Sequence, residues 1–300
     1  MALLRGKFNR ALKIGDICFG TESLWINGKF NKKIKQGTLP LTLKYFTIQG
    51  KYNHKFEKNC IPQKVHSMLI EGDFNQRIRS NVLPSDLKFF SIGGKYNQPF
   101  EKNSFPGSLE KLHIGGKYNR QFGHGVLPPN LRHLEFYGGY NIPFDMKILP
   151  ESLETMIFRG RYNQTFTEFC LPPKLANLEL YGEFNQKFIN LSIPKSLRML
   201  KLGSQYTQIV DNIPDSTKII SIDKHITGRR HTCVSRSIYI HEIIKDLPND
   251  VKFGPIYKYN GYEAIDVEPY NSIAASTEET VSMLKESLAR AEALIRSIKK

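Results

Sequence analysis

The sequence predicts a β-rich solenoid: about ten stacked 22-residue coils sharing one parallel β-sheet, followed by a C-terminal α-helix. Three observations lead there. An aromatic-Asn pair recurs every 22 residues without a slip: Phe8-Asn9, Phe30-Asn31, Tyr52-Asn53, Phe74-Asn75, Tyr96-Asn97, Tyr118-Asn119, Tyr140-Asn141, Tyr162-Asn163 and Phe184-Asn185. A Leu-Pro-like pair follows in the same unit, as in Leu39-Pro40, Leu83-Pro84, Leu127-Pro128 and Leu171-Pro172. An apolar trio such as Leu109, Leu112, Ile114 then precedes a glycine, giving the column Gly50, Gly72, Gly94, Gly116, Gly138, Gly160 and Gly182. A fixed short period means that each unit buries its apolar face only by stacking on its neighbours. Such a stack offers a long exposed surface rather than an enclosed pocket.

Within a unit, Leu112 and Ile114 alternate with Lys111 and His113, the period of a half-buried strand, so one strand per coil is expected. Proline lacks an N–H and restrains its neighbour, so the Pro column marks the bend entering the strand and the Gly column the bend leaving it. What remains of a unit is too short for a full helix and should form turns or extended pieces. The Asn column, Asn31, Asn53, Asn75, Asn97, Asn119, Asn141, Asn163 and Asn185, reads as a structural ladder. Each buried amide would satisfy backbone groups in a bend and be satisfied by the next amide.

These columns resemble the FNIP repeat, a relative of the leucine-rich repeat named for its Phe-Asn-Ile-Pro core. Tyr140-Asn141-Ile142-Pro143 matches it closely, and Tyr96-Asn97-Gln98-Pro99 and Phe74-Asn75-Gln76-Arg77 are variants. The resemblance covers about residues 1 to 222 and implies a leucine-rich-repeat-like fold. The family is plentiful in social amoebae and in giant viruses of amoebae, where it is taken to mediate protein-protein contacts. Some members carry an N-terminal F-box that recruits a ubiquitin ligase. Here repeat-like residues begin at once with Leu4, Gly6 and Phe8, and no F-box fits before them.

Three segments are expected: the repeat array at 1–222, an irregular C-terminal cap with a degenerate repeat at 223–275, and an amphipathic heptad helix at 276–300. In the last, Val281, Leu284, Leu288, Ala291, Ile295 and Ile298 alternate three and four apart. That stripe either docks on the last coil or mediates self-association. No stretch approaches the roughly 18 apolar residues that cross a membrane, and the start lacks a signal peptide's apolar run. Cys60 and Cys170 share the column of Val82 and Val126, so they read as small core residues with free thiols in a reducing cytoplasm, host cytoplasm if the protein is viral.

For function, the outward strand positions are the expected recognition surface, because their columns do not repeat. Trp25, Tyr45, Phe89, His113, His133, Tyr137, Arg159 and Tyr181 are the candidate protein-binding residues there. A second feature is a basic ridge before the aromatic, Lys29, Lys51, Lys95, Lys117 and Arg161, interrupted by Asp73 and Gly139. Residues 1–110 hold 18 Lys and Arg against 8 acids, part of a formal net charge of +15. The ridge would steer an acidic protein or a phosphate backbone, or simply keep the array soluble. No cofactor, metal or catalytic site is expected. Gly93-Gly94 and Gly115-Gly116 belong to the repeat bend, the spacing of His225, His231, Cys233 and His241 fits no common zinc pattern, and His113, His133 and Glu135 read as a chance grouping. The expected function is therefore a non-enzymatic scaffold with a protein partner. The alternatives are a substrate-recruiting ubiquitin-ligase subunit and nucleic-acid binding, the latter not favoured.

Overall fold

The computed structural model describes residues 1–215, 217–221 and 231–233. These lie in the first of two compact units, Met1–His241 and Glu242–Lys300. The helix expected at 276–300, its docking or self-association, and most of the 223–275 cap lie outside the described residues.

The described chain forms one 12-stranded parallel sheet whose strand order is the sequence order. The strands are β1 (Ala2–Leu4), β2 (Ser23–Ile26), β3 (Tyr45–Ile48), β4 (Ser67–Ile70), β5 (Phe89–Ile92) and β6 (Lys111–Gly116), then β7 (His133–Gly138), β8 (Thr155–Phe158), β9 (Asn177–Leu180), β10 (Met199–Leu202), β11 (Lys218–Ser221) and β12 (His231–Cys233). From Ala2↔Leu24 to Asn177↔Met199 every pairing steps by 22 residues, which makes nine such steps rather than about ten. The step then shortens to 19 at Met199↔Lys218 and to 12 at Ile219↔His231. The sheet thus continues past residue 222, into the segment expected to be an irregular cap. No described residue is helical, and the rest of each coil is turns and extended pieces.

Each sequence column becomes a column in space. The trio positions Leu109, Leu112 and Ile114 are buried, as are Leu131, Leu134 and Phe136 one coil on. The aromatic column is a continuous stack of near-parallel rings: Tyr96–Tyr118 and Tyr118–Tyr140 are each 6.1 Å between centroids. The prolines open tight turns, with Pro40 O accepting from Leu43 N at 3.1 Å and Pro106 O from Leu109 N at 3.1 Å. The Asn column differs from expectation in two ways. Its amides are exposed or half-buried, and each Oδ1 accepts not from the next amide but from the next coil's backbone N–H, as in Asn119 N to Asn97 Oδ1 at 3.0 Å and Asn141 N to Asn119 Oδ1 at 2.9 Å. A hydroxyl column unread in the sequence does similar work. Ser152 donates to Leu131 O, and Ser196 to Leu175 O, both at 2.7 Å.

Another column is visible only in the backbone. Gly15, Gly37, Asn59, Asn81, Asn103, Gly125, Lys147, Phe169 and Leu191 recur at 22 residues, and all have positive φ. Glycine and asparagine tolerate this left-handed conformation, whereas a bulky side chain is strained by about 1–2 kcal/mol. Phe169, at φ 55, is also 59% exposed. Replacing it by the residue that the column uses elsewhere, Phe169→Asn, is expected to stabilise the array by about 1 kcal/mol, read as a raised urea midpoint. A lowered midpoint would show that the exposed ring makes a contact worth more than the strain.

Candidate functional site

Every second position along a strand and the residue leaving it faces outward, and here these positions form three columns. The first runs through Ser23, Tyr45, Ser67, Phe89, Lys111, His133, Thr155 and Asn177; the middle through Trp25, Thr47, Leu69, Ser91, His113, Glu135, Ile157 and Glu179. The third lies at the strand ends and includes Gln49, Glu71, Gly93, Gly115, Tyr137, Arg159 and Tyr181. The core, aromatic, proline and glycine columns must repeat because each layer packs on the next. These three are freed from that constraint, and they carry the chain's individuality.

The sheet divides the candidates into two sets. Trp25 and Tyr45 stand on β2 and β3, where Trp25 Nε1 donates to Gln49 Oε1 at 3.2 Å and Tyr45 is exposed. The other six gather on β5 to β9 and their ends. His113 on β6 faces Glu135 on β7 in direct register. Phe89 meets the His113 ring edge-on at 4.9 Å, and His133 lies 5.3 Å from it. Glu135 Oε1 accepts from Arg159 Nε at 2.6 Å, while its Oε2 stands 3.7 Å from Nε2 of both histidines. The Arg159 guanidinium lies 5.2 Å over the Tyr181 ring, whose hydroxyl donates to Glu179 at 2.8 Å. Glu179 also pairs with Lys201 at 3.2 Å. Tyr181 is buried rather than presented. Burial pushes the His113 imidazolium down to about 4, against the pull of Glu135, so its ring is neutral at pH 7. Burial alone would raise Glu135, but contact with His133 and the charge of Arg159 outweigh it and hold the carboxyl below its usual range.

Tyr137 shows a second use for the glycine doublets. It does not stand out from β7 but lies back across two coils, over Gly115 and Gly93, and donates to Glu71 Oε1 at 2.8 Å. A Cβ at Gly93 would sit 2.7 Å from the Tyr137 hydroxyl, and one at Gly115 would overlap the ring. Gly93 and Gly115 are therefore the floor of a trough, not only part of the bend. Burial raises the Glu71 carboxyl above 4.5, against the hydrogen bond from Tyr137. A carboxyl whose folded pKa is raised binds its proton more tightly in the folded state, so its ionisation lowers stability as pH rises past the unfolded value. Glu71→Gln should therefore raise the thermal midpoint at pH 7, and the gain should shrink as pH falls to and below the unfolded carboxyl value. A lower midpoint at pH 7 would mean that the carboxylate's hydrogen bonds outweigh its burial.

Lys29, Lys51, Lys95, Lys117 and Arg161 are all exposed, but they do not make an unbroken positive ridge. Asp73 sits between Lys51 and Lys95 and pairs with both, at 3.3 and 2.8 Å. Its carboxyl is held below the usual range, mainly by the Lys95 contact. Arg161 stands 3.9 Å from Glu183. Cys60 and Cys170 are buried free thiols, and burial pushes Cys60 up to about 11, far from a reactive thiolate. No helix among the described residues is long and apolar enough to cross a membrane.

Comparison with known proteins bears on the repeat fold. Residues 8–51, 52–95, 96–139, 140–183 and 184–225 match the FNIP Repeat in five consecutive blocks. Among solved structures the chain is similar to the crystal structure of CroV588, described as a novel circular LRR protein, at TM-score 0.63 and 26% identity. The alignment covers 78% of this chain and 39% of that one, so the chain spans well under half the length of that relative. It also aligns with YopM from Yersinia enterocolitica WA-314 at TM-score 0.31 and 18% identity, over 72% of this chain and 58% of that one. No curated protein matches the sequence.

Proposed function

Because the chain belongs to the FNIP repeat family, with a leucine-rich-repeat-like parallel solenoid, we propose that it is a non-enzymatic scaffold that binds another protein on its strand-lined face. One observation carries this reading. Every column that builds the stack repeats, and the three outward columns do not, so selection for packing leaves them free for recognition. Around β5 to β8 they bring together Phe89, His133, Glu135 and Arg159, an aromatic and charged mixture of the kind that dominates protein interfaces. Nucleic acid fits less well. The ridge is interrupted by Asp73, which is held by the two lysines beside it, and the most regular aromatic stack is buried in the core rather than offered to bases.

The test is affinity purification from native host cells with mass spectrometry, using three versions of the chain in parallel. Proteins recovered with wild type should be lost from a Phe89→Ala/His133→Ala variant. They should be retained by a variant with Lys29, Lys51, Lys95 and Lys117 changed to Ser. The opposite pattern, or tight sequence-selective binding of an oligonucleotide by wild type, would overturn the proposal.

A further inference from the structure

The same face holds a group whose geometry points to a different ligand. We propose that His113, His133 and Glu135 bind a divalent transition cation, zinc by the character of the ligands, with one coordination position left open on the outer side of the sheet. The three ligand atoms all lie within 4.8 Å of one another. Both imidazole Nε2 atoms are 3.7 Å from the same carboxylate oxygen, Glu135 Oε2. A tetrahedral zinc ion with ligand bonds of about 2.0–2.2 Å sets its ligand atoms about 3.3–3.6 Å apart. Each imidazole therefore needs to close on the carboxylate oxygen by only a few tenths of an ångström, and the two imidazole nitrogens, within 4.8 Å of each other, by at most about 1.5 Å.

The strands preorganise the set. His113 and Glu135 are paired across adjacent strands, and His133 and Glu135 lie two residues apart on the same face of β7. Ligands from neighbouring coils explain why no linear zinc motif reveals the site. Surrounding contacts orient the ligands much as outer-shell partners do in metal sites. Arg159 Nε occupies Glu135 Oε1 at 2.6 Å and leaves Oε2 turned to the imidazoles, and the Phe89 ring braces His113. The side chains are 26%, 24% and 13% exposed, sheltered but within reach of an ion.

Two imidazoles and one carboxylate disfavour magnesium and calcium, which prefer all-oxygen shells, and favour zinc or the late first-row metals just before it, cobalt, nickel and copper. Three protein ligands leave an open position, as in catalytic rather than structural zinc sites. On a recognition face, a His, Cys or carboxylate of a partner can complete the shell. The positive charge of Arg159 beside the carboxylate weakens the site, which suits an ion held loosely until a fourth ligand arrives. The proposal does not depend on the protein-binding reading, since the ion alone is the probe.

Zinc chloride titrated into the full chain by calorimetry should show binding that a His113→Ala/His133→Ala variant loses by more than about 100-fold and Glu135→Gln weakens by at least about 10-fold. His54→Ala, on the other side of the coil, should bind as wild type. Circular dichroism shows whether each variant is folded. A second measurement needs no variant: zinc should protect His113 and His133 of the wild-type chain from diethyl pyrocarbonate, mapped by mass spectrometry, and leave His54 reactive. Undiminished binding in the folded double variant, or protection of other histidines with these two still reactive, would overturn the site. So would the absence of binding at millimolar zinc.

Discussion

Gly72→Ala should be among the most damaging single substitutions in the array, lowering stability by about 2–5 kcal/mol. Two effects combine. Gly72 has φ 85, a conformation that a Cβ strains. In addition, that Cβ would stand 2.6 Å from Gly50 N and closer still to Gly50 O. The glycines sit backbone on backbone from coil to coil, and the Gly50 carbonyl accepts from Asp73 N at 2.8 Å, so the clash cannot be relieved without parting two layers. Two other glycines separate the contributions. Gly20 has φ 89 but nothing within 4 Å of its would-be Cβ, so Gly20→Ala should cost only the strain, about 1–2 kcal/mol. Gly107 has neither a positive φ nor a neighbour, so Gly107→Ala should be neutral or stabilise by up to about 1 kcal/mol. Urea midpoints ordered otherwise, with Gly72→Ala no worse than Gly20→Ala, would show that the layers are not in the contact described.

The legible part of this molecule is the part that repeats. Nine coils in register announce Leu112, Tyr118, Pro128 and Gly138 as columns, because averaging over coils removes everything individual. Strand, bends and core follow from the period of those columns. What averaging cannot show is a contact made once. Tyr137 reaches Glu71 across two intervening strands only because Gly115 and Gly93 lack side chains, and no pairwise spacing in the sequence suggests it. The His113, His133 and Glu135 group reads as chance in the sequence because a varied surface makes such groupings often; His133 and Glu135 lie two residues apart and His113 lies 20 before His133, a spacing that gains meaning only in a parallel stack of this pitch. The Asn column shows a subtler limit. Its regularity is visible, but whether Oδ1 meets the next amide or the next backbone N–H depends on geometry within the bend. The left-handed column was hidden because Lys147, Phe169 and Leu191 occupy it against their own preference. The strand at His231–Cys233 was missed because its coil is only 12 residues from β11, too short to carry the pattern.

Tyr118→Ala is expected to cost about 3–5 kcal/mol, whereas Tyr118→Phe should stabilise the protein by about 1 kcal/mol. The ring is 1% exposed and stacked between Tyr96 and Tyr140, with Phe100 and Phe122 packed at 5.4 and 5.6 Å. Removing it opens a cavity that the neighbouring layers cannot fill, because their spacing is set by the sheet ladder rather than by the side chains. The hydroxyl is another matter. It is buried and has no hydrogen-bond partner among the described residues, as are those of Tyr162 and Tyr206. An unpaired buried hydroxyl carries a desolvation cost with no compensating bond. The column itself accepts phenylalanine at Phe30, Phe74 and Phe184, which stack at the same spacing as the tyrosines. Denaturant unfolding of the two variants therefore separates ring from hydroxyl. If Tyr118→Phe instead loses stability, the hydroxyl is bonded in solution, most simply to a water held between layers, and the tyrosines of this column mark a polar thread through the core.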